Sequence, residues 1–230
     1  MEVLNSGKTS FKIEVPYRLY QTGEGGGKPM ILYLHGYGQD MGSFISATEP
    51  LHKLEAYHLY IQGPYPEYTM MHKGKKWGYS WYLYDGNGDN FIRSLEYTSE
   101  FIQGIIDQLA SFVTINQLVI FGYSMGGYVG GYFGLTRWKH TNAMILTGCR
   151  IKTEVVSGDW NDRKHIKVLA LHGKNDDNVV HERQEQEIAL LKEKGLQADI
   201  KLLEGGHDLS HDYLDEALKW LLSLGFKEIV

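Results

Sequence analysis

The 230 residues carry 23 basic and 28 acidic side chains, a formal net charge of -5 that offers no basic footprint for a nucleic-acid partner. With 43% hydrophobic residues and no run near 18 apolar positions, the chain suits one soluble domain over residues 1–230, with a sizeable core and no stable membrane insertion. Its single cysteine, Cys149, excludes an internal disulfide, and without an apolar leader in residues 1–10 the expected location is cytoplasmic.

Residues 11–20 read as strand material interrupted by Pro16, hence an edge strand or a bent hairpin arm. Residues 24–28 contain three consecutive glycines and predict a tight exposed turn. Apolar runs follow at 30–34, 57–61, 117–121, 143–146, 166–171 and 198–203. They are continuous rather than alternating, as strands covered on both faces of a parallel sheet must be. Helical spacing links Leu95, Phe101, Ile102, Ile105, Ile106, Leu109 and Phe112. It recurs over 181–194, and again from Tyr213 to Leu222 before Gly225. This alternation predicts an α/β fold, a mostly parallel central sheet with helices on both faces and no large cap.

Residues 65–84 gather seven tyrosines and tryptophans with Met70 and Met71, suited either to an apolar pocket or partial lid or to core and rim packing. Trp77, Trp81 and Tyr82 are its candidate substrate contacts, and Lys73, Lys75 and Lys76 require part of it to be exposed. Residues 85–96 approach the spacing of a calcium loop, but Asn90 stands where that loop needs glycine and Arg93 brings a cation to a ligand position. A solvated turn is expected there, and no metal or cofactor is predicted.

The most informative stretch is Gly122-Tyr123-Ser124-Met125-Gly126-Gly127, between the apolar run 117–121 and a helix-compatible segment. Small neighbours allow a sharp strand-to-helix turn that pushes the Ser124 hydroxyl outward. A serine needs a base to become nucleophilic, and the base needs an orienting acid. Of ten histidines, His207 follows a late strand and the flexible Glu204-Gly205-Gly206, where it can reach across to the serine. Asp176 and Asp177 end another strand and both qualify as the acid. The glycine-punctuated loop His35-Gly36-Tyr37-Gly38 supplies a second element: the backbone N–H groups of Tyr37 and Met125 are the expected oxyanion donors.

These stretches resemble the α/β-hydrolase superfamily, and within it the single-domain phospholipase/carboxylesterase family that includes acyl-protein thioesterases. His35-Gly36-Tyr37-Gly38 is similar to its H-G-x-G loop, and residues 122–127 to its G-[FY]-S-x-G-G turn. The acid motif H-G-x-x-D-x-x-V is matched by His172, Gly173, Asp176 and Val179, so the resemblance implies Asp176 as the acid and His207 as the base. Met125 stands where the family often has glutamine, and Trp81-Tyr82-Leu83 where it often has Trp-Phe-Asp. The implied activity is cleavage of small to medium carboxylic esters through an acyl-enzyme, with thioesterase, lysophospholipase and peptidase chemistry, or ligand binding without catalysis, as alternatives.

Overall fold

The computed structural model describes residues 2–7, 9, 12–71, 74–137 and 139–229. In chain order the strands are β1 (Tyr17–Gln21), β2 (Lys28–Leu34), β3 (Tyr57–Ile61), β4 (Tyr65–Met71), β5 (Gly74–Ser80), β6 (Ile115–Tyr123), β7 (Ala143–Thr147), β8 (Lys167–Gly173) and β9 (Gln197–Leu203). The α-helices are α1 (Met41–Ala47), α2 (Gly88–Leu109), α3 (Met125–Thr136), α4 (His181–Glu193) and α5 (His211–Ser223).

Seven strands form one sheet in the order β1-β3-β2-β6-β7-β8-β9, with β1 antiparallel to β3 and every other pairing parallel. The pleat explains the continuous apolar runs. On β2, Met30, Leu32 and Leu34 pack into a core with residues of α2, α3 and α4. Ile31 and Tyr33 enter a second core with residues of α1 and α5. Both faces are therefore covered, and a polar residue at either position would lose its water.

The sequence expectations change at three places. The edge strand begins only after Pro16, whose carbonyl instead accepts the Gln62 N–H at 3.1 Å; Phe11 lies outside the described residues. The long stripe stops at Leu109, and Phe112 beyond it is 76% exposed. The aromatic segment is an antiparallel hairpin, β4 against β5, separate from the main sheet. His72 is outside the described residues. Just after the hairpin, Asn87 caps α2 by accepting the N–H groups of Asp89 and Asn90. Asp85 accepts from Asn87 and from the Asn90 side chain. Asp85, Asn87 and Asn90 thus serve a helix start.

Two histidines are buried beside the sheet. His58 lies between the Tyr33 hydroxyl and the Thr22 hydroxyl, each 2.9 Å from a ring nitrogen. His35 accepts from Gly63 N–H at 3.0 Å with Nε2, while its Nδ1–H donates to Gly36 O at 2.8 Å. Burial lowers the pKa of each to about 4. The unfolded chain takes up these protons near pH 6.5 and the folded chain does not, so stability falls as pH drops from about 6.5 toward 4. Each imidazole contributes up to about 3 kcal/mol to that fall. His58→Gln should flatten the decline of Tm between pH 7 and pH 5; an unaltered slope would refute the assignment.

Candidate active site

The site is assembled at the carboxyl ends of the parallel strands, beginning with the turn between β6 and α3. Ser124 has φ 51° and ψ -117°, the one non-glycine with positive φ among the described residues. Its N–H donates to Thr147 O at the end of β7 (2.8 Å), and its carbonyl accepts from Gly127 and Tyr128. The start of α3 then lies directly on the end of β2. A Cβ built on Gly126 would stand 2.1 Å from Leu34 O, far inside contact distance. Only glycine permits this approach.

The loop after β9 brings His207 over the serine. Ser124 Oγ–H donates to His207 Nε2 at 2.8 Å, and His207 Nδ1 lies 2.8 Å from Asp176 Oδ2. A carboxylate can only accept, so Nδ1 carries the hydrogen and Nε2 is free to accept from the serine. Tyr123 supports the imidazole: its ring lies 5.5 Å from that of His207, and its hydroxyl donates to His207 O at 3.0 Å. Burial, with Asp208 and Asp176 nearby, raises the Tyr123 pKa to about 12, so that donor stays protonated.

Asp176 lies in the loop after β8 with its side chain fully buried, while Asp177 is exposed. The desolvated carboxylate is compensated by hydrogen bonds: Oδ1 accepts the N–H groups of Asn178 (2.9 Å) and Val179 (2.8 Å). His172, also buried, donates Nε2–H to Val179 O at 2.7 Å and lies 3.4 Å from Asp176 Oδ2. Burial lowers the His172 pKa and favours its neutral form. It thus pins the loop without bringing a second charge to the carboxylate.

Opposite these lies the loop after β2. Here the hairpin acts as a template, because Gly38 N–H donates to Tyr79 O (3.0 Å) and Tyr79 N–H donates to Gln39 O (2.9 Å). β5 can come this close because residue 78 is glycine, where a Cβ would stand 2.1 Å from Gly38 O. Gly36 N–H donates to Gln39 Oε1 at 2.7 Å and Gln39 N–H to Gly36 O at 3.3 Å. That leaves the Tyr37 N–H with no acceptor among the described residues. Met125 N–H opens α3, where helix geometry supplies no partner.

A cleft of about 380 Å³ is bordered by Tyr37, Gln39, Tyr123, Asn178 and Val179, with Ser124 and His207 in its wall. The expected aromatic contacts stand elsewhere. Trp81 is fully buried and donates Nε1–H to His35 O at 2.7 Å, fixing the loop from beneath. Trp77 is 60% exposed on the hairpin against Tyr68, and Tyr82 packs edge-on to Phe91. Conversely, Gln39, Tyr123 and Asn178 border the cleft unforeseen. Their signal was adjacency, since each neighbours a motif residue. Cys149 is buried, and its thiol pKa is pushed up by that burial.

Gly126→Ala, with no room for its methyl, is expected to cost about 3 kcal/mol or more, roughly 10 °C in Tm. Thermal unfolding of that variant measures it, and an unchanged Tm would mean that the turn relaxes freely.

The sequence profile of the phospholipase/carboxylesterase family matches residues 21–224. Among solved structures, the chain is similar to a Bacillus cereus carboxylesterase at 17% identity and TM-score 0.73, covering 91% of this chain and 94% of that one. It is similar to Zea mays acyl-protein thioesterase 2 at 18% identity and TM-score 0.70, covering 90% and 98%. Esterase PE8 superposes at 21% identity and TM-score 0.73, covering 92% and 99%. No curated protein matches the sequence. No helix among the described residues is long and apolar enough to cross a membrane. The family profile spans most of the chain, and the sheet order and neighbours agree with it: the protein belongs to the phospholipase/carboxylesterase family of α/β-hydrolase enzymes.

Proposed function

We propose that the protein is a serine hydrolase that cleaves carboxylic esters of small to medium acyl chains through an acyl-enzyme. The observation that carries this reading is the unbroken hydrogen-bond chain from Ser124 Oγ through His207 to Asp176 Oδ2. Ser124 Oγ attacks the ester carbonyl while His207 Nε2 takes its proton. The imidazolium so formed is stabilised by Asp176. The developing oxyanion is received by the N–H groups of Tyr37 and Met125, which need no reorganisation to serve. Collapse expels the alcohol, which takes the proton from His207. Water then enters, gives its proton to the same nitrogen and attacks the acyl-serine, releasing the carboxylic acid and restoring the hydroxyl.

The cleft volume of about 380 Å³ favours modest acyl groups, and the small-ester reading accords with it. Thioesters require the same groups in the same roles. A panel of p-nitrophenyl esters against acyl-thioesters distinguishes the two substrate classes.

Ser124→Ala is expected to lower kcat by on the order of 10⁴ or more while leaving the Tm within a few degrees. Full turnover in this variant, or failure of a fluorophosphonate to label Ser124 in the intact protein, would overturn the mechanism.

Gly78→Ala should act from a distance by lifting the hairpin from the oxyanion loop. Because misplacement by about 1 Å can cost 10²-fold, kcat is expected to fall roughly 10- to 100-fold. Unimpaired kcat in a folded Gly78→Ala protein would show that the hairpin does not position Tyr37.

A further inference from the structure

Beyond Asn178 and Val179 the catalytic cleft adjoins a second cavity of about 310 Å³, and those two residues border both spaces. The shared wall is rigid, because Val179 N–H is held by Asp176 and Val179 O by His172. Three cations border the second cavity, and no carboxylate does. Arg150 and Lys152 come from the segment after β7, and Arg183 from the first turn of α4.

Their partners differ. Arg150 is held from behind by Glu154 and by Glu187, whose Oε1 lies 3.5 Å from its Nε. Lys152 Nζ is 3.8 Å from Glu154. Arg183 forms no ion pair among the described residues. Arg150 and Lys152 are thus already balanced by carboxylates, and Lys152 Nζ also lies 5.2 Å from the centre of the Phe91 ring, so Arg183 is the cation at this concavity whose charge is uncommitted among the described residues. A guanidinium in such a place suits a carboxylate or phosphate, which it can bind through two parallel hydrogen bonds.

We propose that this cavity is an anion subsite, and that the ester cleaved at Ser124 carries a carboxylate or phosphate on one of its arms. The proposal rests on the serine-hydrolase reading for the chemistry at Ser124 and adds the class of substrate. Two sources share this chemistry: a dicarboxylic hemiester, charged on the acyl side, and an acylglycerol phosphate, charged on the alcohol side.

Two matched pairs separate them. One pair is p-nitrophenyl butyrate and p-nitrophenyl hemiglutarate; the other is 1-butyrylglycerol and 1-butyrylglycerol 3-phosphate. In one pair, kcat/KM should favour the anionic member. Arg183→Gln should then lower the anionic-to-neutral ratio roughly tenfold, mainly through KM. The pair in which this occurs identifies the charged arm. Ser124-dependent hydrolysis of the neutral esters, with no anionic preference sensitive to Arg183, would overturn the subsite and leave the hydrolase reading intact.

A binding measurement covers the converse failure. Ser124→Ala protein titrated calorimetrically with glutarate and with glycerol 3-phosphate should bind one of them, and Ser124→Ala/Arg183→Gln should lose that binding. If binding holds while the wild-type protein cleaves no ester, the subsite stands and the hydrolase reading falls. Absence of binding by both anions would refute the subsite.

Discussion

The site is governed by one steric constraint, the close passage of the start of α3 across the carboxyl end of β2. With no side chain at Gly126, the helix begins within contact distance of the Leu34 carbonyl. That approach forces the reversal at residue 124 and fixes where its hydroxyl emerges. It also sets the first N–H of the helix beside the loop that continues from β2. The proposed nucleophile and both proposed oxyanion donors are therefore located by the same backbone packing. The loops after β8 and β9 have only to deliver one carboxylate and one imidazole to a position already determined.

Delivery of the carboxylate is an electrostatic problem. Asp176 is stripped of water, and a bare buried charge would move its titration or unfold the loop. Two backbone N–H groups on Oδ1 and the imidazole on Oδ2 replace the lost hydration. The neutral His172 completes the arrangement by tethering Val179, so the loop that solvates the charge is itself tied down. Stability and the proposed chemistry thus depend on the same four hydrogen bonds.

Much of this was legible in the residues. The continuous apolar runs of the inner strands were legible because only a sheet covered on both faces tolerates them, and β2 shows why: its alternate side chains enter different cores, whereas edge strand β9 exposes Asp199 and Lys201 between its apolar positions. The site residues were legible because glycines and chemistry-bearing side chains recur at strand ends. Residues 65–80 resisted reading. Aromatics on both sides of those strands erase the alternation that marks a hairpin, and Lys28–Leu34 and its neighbours offer that hairpin no place in the main sheet. Trp81 reads from sequence as either a substrate contact or packing, because an indole can face a ligand or a core equally well. Its burial depends on the His35 carbonyl, 46 positions away in sequence. The helical spacing hides the boundary at Leu109 because Phe112 continues it into a turn that faces solvent.

The backbone at Ser124 has a consequence for how such a chain can change over time. A serine held at positive φ carries roughly 1–3 kcal/mol of conformational strain, which the neighbouring packing must offset. Glycine at this position would shed most of that strain and keep the fold. Drift under demand for robustness alone would therefore erode the hydroxyl first, producing sturdier descendants that lack the proposed nucleophile. Among the described residues Ser124 is the one non-glycine at positive φ, so the proposed nucleophile occupies the backbone position least comfortable for a side chain.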